Sequence, residues 1–328
     1  MNKGPITPLK IGSLELSNPL LMAPLSGISN LPFRLLAKEQ GCAMVCTEMV
    51  SAEGLIRNRK NAERFLKSCP EERPLAVQVF GSRPEVMAEA ARVVEDYGAD
   101  VLDINMGCPV KKVVRSGAGA ALLRNLERAK EIIQAVRNGI SIPLTVKIRL
   151  GWDSKSINYL ETARMAEDCG VDALILHGRT RAQGYDFKAD WGGITRAREN
   201  LKIPLIGSGD LTSPEAIVKF FSQTGCPGAM IGRGALGNPW IFRQTLCLLE
   251  GREPEGPSLR EKEATILRHL KMIVQMHGEI HGCREFRKHL IWYTRGLRGS
   301  ADFRFRISAW QMASEMAEEI QEYFAKQY

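Results

Sequence analysis

The chain has 328 residues, of which 44% are hydrophobic and 25% charged, so it can form one large globular domain and a smaller one. No run approaches the ~18 apolar residues that a membrane span needs, and the amino-terminal segment lacks the apolar stretch of a secretory signal. We therefore expect a cytoplasmic protein. The formal net charge of +8 suits a polyanionic partner without requiring one.

Short apolar runs in the first three quarters of the chain predict eight strands. The runs are apolar throughout instead of alternating, which is typical of parallel strands covered on both faces. The predicted strands are Leu20–Pro24, Met44–Glu48, Leu75–Gly81, Val101–Asn105, Leu144–Arg149, Ala173–His177, Pro204–Ser208 and Gly228–Gly232.

Segments with helical apolar spacing separate these strands. One of them begins at Ser213 with a capping serine, a proline and an acid, which is a strong helix start. The predicted helices are Leu31–Gln40, Glu85–Tyr97, Leu126–Asn138, Asn158–Cys169 and Ser213–Ser222. About eight strand–helix units in ~240 residues predict an α/β fold, a (β/α)₈ TIM barrel, with a doubly wound open sheet as the alternative.

The segment Glu250–Ser258 is rich in glycine, proline and charge, which is typical of a linker. Beyond it the strand-like runs stop, and amphipathic spacing predicts helices at Lys262–Ile280, Cys283–Gly296 and Ile307–Phe324. We therefore expect a barrel at residues 1–250, a linker at 251–259 and a small helical domain at 260–328.

Polar side chains occur at the ends of consecutive predicted strands, where a core would favour apolar residues. Barrel active sites are built at the carboxyl ends of the strands, so these side chains predict one common site. They are Gln78, Asn105, Lys147, Arg149, His177 and Arg179.

The last two predicted strands end in glycine-rich turns, 207–210 and 232–234. In barrels this position usually binds phosphate, because backbone N–H groups face the anion there. Ser208, Gly209, Asp210, Gly232 and Arg233 are the candidate residues, and Arg233 could add a charge-assisted bond.

Cys108 follows the fourth strand between Gly107 and Pro109, which fix a sharp turn and present its side chain over the barrel mouth. The setting allows a nucleophile, a metal ligand or a proton donor, although no second Cys or His at ligand spacing supports a metal. The other seven cysteines are expected to be reduced. The weak dinucleotide-like pattern 117–121 does not directly follow a strand, so we interpret it as a flexible loop and helix start.

Several segments together resemble the tRNA-dihydrouridine synthases, most closely the bacterial B-type enzymes. NMGCP and HGRTR at this spacing are the most specific, and the similarity covers nearly the whole chain. The segments are APLSGISNLPFR, NMGCPVKKVVRSGAGAALL, LTVKIRLGW, LILHGRTRAQGY, IGSGD, MIGRGALGNPWIF and FRKHLIWY.

The resemblance implies reduction of uridine to 5,6-dihydrouridine in tRNA, with bound FMN as cofactor and NADPH as reductant. It also implies roles: Cys108 as the acid that protonates C5, Asn105 on the uracil, and Arg179 near substrate or phosphate. The implied flavin contacts are Pro24, Leu25, Ser26, Gln78, Lys147, His177, Ser208, Gly209, Asp210, Gly232 and Arg233. The family usually has Asn where this chain has Ser208, so that contact differs.

The segment 284–306 carries seven basic residues against two acids, a difference of 7 − 2 = +5 that accounts for most of the net charge of +8. Interleaved aromatic residues suit phosphate contacts with stacking or packing surfaces, so we expect tRNA to bind here. Arg287, Lys288 and Tyr293 are the predicted substrate contacts. We expect a monomer with no metal.

Three other functions fit parts of the sequence. A dihydroorotate dehydrogenase-like flavoenzyme would not need the basic helical region. A barrel aldolase with Lys147 as a Schiff base would leave Cys108 unexplained. A noncatalytic RNA-binding protein would not need Cys108, Lys147 and His177 together.

Overall fold

The computed structural model describes residues 7–58, 63–307 and 309–327. Its strands are β1 Leu9–Ile11, β2 Leu14–Leu16, β3 Leu20–Met22, β4 Val45–Cys46, β5 Val50–Ser51, β6 Leu75–Phe80, β7 Val101–Met106, β8 Leu144–Arg149, β9 Ala173–His177, β10 Leu205–Ser208 and β11 Gly228–Ile231. Its α-helices are α1 Leu31–Glu39, α2 Ala52–Arg57, α3 Pro84–Asp96, α4 Lys111–Arg115, α5 Leu126–Arg137, α6 Tyr159–Asp168, α7 Trp191–Glu199, α8 Pro214–Thr224, α9 Ile241–Leu249, α10 Leu259–His277, α11 Glu279–Tyr293, α12 Ser300–Ile307 and α13 Ala313–Ala325.

Eight parallel strands form the barrel, in the order β3-β11-β10-β9-β8-β7-β6-β4. A parallel bridge between Leu21 and Met44 joins the first and last strands of this order and closes the circle. The predicted (β/α)₈ barrel is therefore confirmed, and the open-sheet alternative is wrong. Each predicted strand is present, and β8 and β9 have the predicted bounds.

The barrel interior is apolar at its amino-terminal end and polar at its carboxyl end. Successive residues of a strand point to opposite faces, so every second side chain faces inward. The antiparallel hairpin of β1 and β2 covers the amino-terminal end, where Leu9 and Ile11 pack with Val101, Ala173 and Ile206 in one buried cluster. Polar side chains can therefore gather only at the opposite mouth.

The outer helices pack their apolar faces on the strands, and side chains cap several of them. The Ser213 hydroxyl accepts a hydrogen bond from the Ala216 N–H at the start of α8, as the sequence predicted. The same helix ends at Gly225 with φ of 61°, a left-handed conformation that glycine adopts without steric cost. These local signals explain why its bounds were predicted well.

Helices α10 to α13 enclose a separate apolar cluster that includes Phe286, Phe303 and Phe324. Trp240, from the end of the barrel sequence, is also part of this cluster, so the barrel segment and the helices share one packed junction. The segment between α9 and α10 has no regular structure, as expected of a linker. The division into domains stays a prediction.

One predicted helix is wrong in its extent. The segment Ile307–Phe324 was predicted as a single helix, of which residue 308 lies outside the described residues. In the structure Ile307 is the last residue of α12, and α13 begins at Ala313. The apolar spacing continues across this break, which is why the pattern did not separate the two helices. The hairpin, the short strand β5 and the helices α2, α4, α7, α9 and α12 were not predicted.

Candidate active site

A cavity opens at the carboxyl ends of the barrel strands. Its empty space, including the part open to solvent, is about 510 Å³. Residues from both predicted phosphate turns and from other strands and loops of the barrel line it. They are Ala23, Pro24, Leu25, Lys147, His177, Tyr185, Ser208, Gly209, Asp210, Leu211, Thr212, Met230, Gly232, Arg233 and Gly234.

The strand register explains why residues distant in sequence meet at this mouth. Asn105 on β7 is paired with Lys147 on β8, and Arg149 on β8 is paired with His177 on β9. His177 is in turn paired with Ser208 on β10. Parallel strands in register bring their carboxyl ends to one edge, so these side chains form a continuous polar rim.

The two glycine-rich turns are held in place by an ion-pair cluster around Asp210. Its carboxylate accepts hydrogen bonds from Arg179 at 2.5 Å, from Arg233 at 3.2 Å and from the Ala189 N–H at 2.7 Å. Asp210 itself has a positive φ of 57°. A β-carbon on Gly234 would lie 2.3 Å from the Leu211 carbonyl oxygen, so this turn requires glycine.

The interior of the mouth is strongly cationic. Burial, together with the charge of Arg149, lowers the pKa of Lys147 to about 8. Burial and the charges of Lys147, Arg149, Arg179 and Arg233 lower the pKa of His177, so its imidazole is neutral at pH 7. Among the described residues, the Lys147 ammonium has no hydrogen-bond partner, although the charge of Asp103 acts on it.

Cys108 lies in a turn that several groups hold in place. Its backbone N–H donates to the Asn105 side-chain oxygen at 2.9 Å, and its carbonyl accepts from the Ala120 N–H at 3.1 Å. Arg149 donates to the preceding Gly107 carbonyl at 2.8 Å. The thiol is half-buried, and this burial raises its pKa, so it stays protonated at pH 7.

The segment that resembles a dinucleotide fingerprint supports this turn. Gly117 and Gly119 have positive φ, and the 3₁₀ helix Gly119–Arg124 follows. A β-carbon on Gly119 would lie 2.9 Å from the Cys108 carbonyl oxygen. Ala118 and Ala120 are buried, so the segment is a packed support and not the loose loop that the sequence suggested.

Gln78 and Ser26 do not line the cavity. The Gln78 side chain is fully buried, and its amide is bonded at both ends, to Asp103 and to Asn105. Ser26 is exposed at the start of the loop that precedes α1. Their predicted flavin contacts are not visible in the cavity lining, and both roles stay predictions.

The predicted RNA contacts differ in their exposure. Lys288 is exposed, and its ammonium lies close to Gly27 in the loop before α1. Arg287 is half-buried and donates to the Trp310 carbonyl. Tyr293 is buried in the helical core, where its hydroxyl is 3.1 Å from Nδ1 of His269. Tyr293 is therefore mainly a packing residue, although it also lines a groove with Trp292 and Arg295, and its RNA contact stays a prediction.

Tyr185 is a cavity residue that sequence reasoning did not single out. It is half exposed, and the guanidinium of Arg233 lies 4.5 Å from the centre of its ring, with that of Arg149 at 5.7 Å. Its ring also meets His177 edge-on at 6.1 Å. An aromatic residue eight positions after a strand end was the only available signal, and it is a weak one.

No group of three or more His, Cys, Asp or Glu side chains in the described part of the chain is arranged to hold a metal ion. No helix within residues 7–58, 63–307 and 309–327 is long and apolar enough to cross a membrane. All eight cysteines are free.

The closed barrel and its polar mouth define the class, (β/α)₈-barrel enzymes with their site at the carboxyl ends of the strands. An old yellow enzyme homologue from Zymomonas mobilis shares this fold, with a TM-score of 0.56 and 15% identity, over 78% of this chain and 95% of that one. At this identity the likeness shows the fold alone.

The particular family follows from sequence similarity. The family described as dihydrouridine synthase (Dus) matches residues 21–328. tRNA-dihydrouridine synthase B of Pasteurella multocida is 40% identical over 302 residues, covering 92% of this chain and 91% of its own length. The enzyme of the same name from Pseudomonas aeruginosa is 38% identical, covering 97% and 96%. The chain belongs to the dihydrouridine synthase family.

Proposed function

We propose that the chain reduces uridine to 5,6-dihydrouridine in tRNA, with bound FMN as its cofactor and NADPH as the reductant. The names of the B-type relatives state tRNA as their substrate. One observation carries the proposal: a protonated thiol and an amide at the end of one strand lie beside an ammonium group on the neighbouring strand, and this ammonium group lines the cavity. They belong to Cys108, Asn105 and Lys147.

The residues present fit a flavin with a phosphate tail. Lys147 has no hydrogen-bond partner among the described residues, and Nδ1 of His177 is buried without one. Both residues line the cavity, together with Pro24 and Leu25. When bound, reduced FMN would supply the hydride that uracil accepts at C6. Lys147 would hold the pyrimidine edge of the ring and stabilise negative charge there.

The phosphate tail would lie at the two glycine-rich turns. Arg233 is about two-fifths exposed and lines the cavity, so its guanidinium can donate to an anion there. Asp210 keeps Arg179 and Arg233 in place and does not itself face the phosphate as a donor. The Ser208 hydroxyl donates to the Met230 carbonyl at 3.0 Å, so the backbone N–H groups of the turn would supply the remaining contacts.

Cys108 would act as the acid. Hydride addition at C6 leaves negative charge on the uracil C4 carbonyl, and C5 must then receive a proton. The raised pKa keeps the Cys108 thiol protonated, as a general acid requires. Asn105 lies next to it and would bind the uracil edge, while Arg149 holds the turn through the Gly107 carbonyl.

The helices α10 to α13 would bind the tRNA. Arg233 of the barrel and Arg295 at the end of α11 line one groove together with Trp292. Lys288 borders the loop that leads to the cavity. Cations on both sides of the mouth suit a phosphate backbone, and the target base must leave its stack to enter the barrel.

An absorbance titration tests the proposal. The purified protein should show a flavin spectrum that NADPH bleaches and that recovers without oxygen only when unmodified tRNA is added. Recovery with a free pyrimidine and not with tRNA would favour the dehydrogenase-like alternative. A colourless protein that FMN cannot reconstitute would contradict every flavin-dependent function.

A further inference from the structure

We propose that Asp103 is a positioning residue that fixes the orientation of the Asn105 amide and thereby the shape of the Cys108 turn. The effect that we expect on turnover rests on the proposed function. Its structural content, the direction of a hydrogen-bond chain, can be tested without activity.

Asp103 is a buried carboxylate inside the barrel, 1% exposed, two residues before Asn105 on β7. Its two oxygens accept separate hydrogen bonds: Oδ2 from the Gln78 amide at 2.6 Å and Oδ1 from the Thr145 hydroxyl at 2.6 Å. Burial raises its pKa, and the hydrogen bonds from Gln78 and Thr145 and the charge of Lys147 oppose this. Asp103 contacts the Gln78 amide and does not line the cavity.

An unbroken series of hydrogen bonds connects Asp103 to the turn that carries Cys108. The Gln78 amide donates to Asp103, so its oxygen faces the other way and accepts from the Asn105 amide nitrogen at 2.6 Å. The Asn105 oxygen is then left to accept the backbone N–H groups of Gly107 at 3.1 Å and Cys108 at 2.9 Å. The orientation of the Gln78 amide therefore determines that of the Asn105 amide.

A carboxylate sets this direction because it only accepts hydrogen bonds. An amide at the same position can donate or accept, so both orientations of Gln78 become possible. In the reversed orientation the Asn105 NH₂ group would face two backbone N–H donors, and the turn would lose its acceptor. Asp103 therefore excludes an alternative arrangement that the amides alone permit.

The composition of the barrel interior supports a role beyond stability. The inward-facing residues below Asp103 are apolar, and Ala76 and Val101 belong to one packed cluster there. A buried carboxylate costs free energy relative to a well-packed apolar side chain. The presence of a carboxylate between the apolar core and the mouth is explained by the orientation that it imposes on Asn105.

Two variants separate this role from a general packing role. Asp103→Asn keeps the shape of the side chain. It replaces the carboxylate by an amide, which no longer fixes the direction of the hydrogen bonds from position 103 to Asn105. Asp103→Asn combined with Gln78→Glu moves the carboxylate from position 103 to position 78, next to Asn105 in the row of hydrogen bonds. In the double variant the amide at position 103 would accept from Thr145 and donate to the carboxylate at position 78. That carboxylate would in turn accept from the Asn105 amide nitrogen, so the Asn105 orientation is restored.

We expect D103N, saturated with FMN, to lose about 10- to 100-fold in kcat, the usual cost of removing a partner that orients an active-site group, with KM for tRNA little changed. The double variant, likewise saturated with FMN, should recover most of this loss, because Gln78 does not line the cavity. The rate at which iodoacetamide alkylates Cys108, followed by peptide mass mapping, should change in D103N and return towards the parent value in the double variant.

Thr145→Val is the matched control, because it removes the other hydrogen bond to Asp103 and leaves the chain of amides intact. Its kcat should stay within a few-fold of the parent. A D103N protein with parental kcat and alkylation rate would overturn the inference, and so would a double variant that binds FMN but recovers neither. If the parent itself reduces no tRNA, the proposed function fails, and the alkylation rates still decide the role of Asp103.

Discussion

The ammonium of Lys147 lines the cavity and the thiol of Cys108 lies in the turn beside it; both groups must hold a proton, but burial shifts their pKa values in opposite directions. Burial raises the pKa of the thiol, which keeps its proton available, and lowers the pKa of the lysine to about 8, which makes its charge sensitive to pH. The same desolvation acts on both groups because it always disfavours the charged form. Turnover therefore tests the thiol, and the pH dependence of cofactor binding tests the lysine.

Replacement of Cys108 by alanine should reduce turnover by about 10²–10⁴-fold, the usual contribution of a positioned proton donor. FMN binding should be retained, because the thiol is not part of the cavity lining. Turnover of unmodified tRNA and flavin absorbance measure the two effects. Cys169→Ala, at a buried cysteine on the end of α6, is the control. Near-normal turnover in C108A would show that another group donates the proton.

The affinity of the apoprotein for FMN should fall as pH rises through about 8, because Lys147 loses its charge there and the ligand is an anion throughout. Proton linkage limits the fall to about tenfold per pH unit. Fluorescence titrations between pH 7 and 9 would measure it. Lys147→Met should bind FMN more weakly and show a flat profile, whereas a wild-type profile without slope would remove Lys147 from the ligand contacts.

At the scale of elements, one buried ion pair fastens α1 to the 3₁₀ turn Pro70–Glu72. Arg34 is almost fully buried and pairs with Glu72 at 2.6 Å. The same guanidinium donates to the carbonyls of Ser29 and Lys67. It therefore joins the loop after β3, the helix α1 and the segment before β6.

Replacement of Glu72 by glutamine should lower the free energy of unfolding by about 3–5 kcal/mol, because it leaves the Arg34 charge buried without a counterion. Glu53→Gln is the matched control: it breaks the exposed pair with Arg83, which is worth under ~1 kcal/mol. Urea denaturation of both variants measures the difference. If the free energy of unfolding fell equally in the two variants, water would be screening the charge of Arg34.

The eight barrel strands were predicted from sequence because each is buried on both faces and therefore reads as an apolar run. The hairpin β1–β2 was missed because its strands have three residues each, and its function as a cover for the barrel depends on contacts with Val101 and Ala173. The break between α12 and α13 was missed because both helices bury residues of one cluster, so the apolar period continues across it.

At the scale of the whole molecule, the barrel mouth and the helices α10 to α13 meet along one packed junction. A β-carbon on Gly237 would lie 2.3 Å from the carbonyl carbon of Trp292, so the barrel loop and α11 touch through their backbones. Phe33 of α1 packs against His269 and His289. The packed junction therefore fixes the position of the basic side chains on these helices relative to the cavity.

The double variant Lys288→Ala/Arg295→Ala should weaken tRNA binding and lower the slope of log Kd against log salt by about 1.5, since each phosphate contact contributes roughly 0.7–0.9. Filter binding at several KCl concentrations measures both values. Lys130→Ala, an exposed lysine on α5, is the control and should leave the slope unchanged. An unchanged slope in the double variant would place the tRNA on another face.

The sequence by itself determined the barrel, the polar strand ends and the turn that presents Cys108. These features are local: an apolar run, a strand boundary, or a glycine and a proline beside one cysteine. The tertiary structure alone decided that Gln78 joins Asp103 to Asn105, that Tyr293 is packed in a core and that Tyr185 lines the cavity. Each of these depends on which strands are neighbours and which helix faces meet, and contacts between distant segments leave no period or spacing in the sequence.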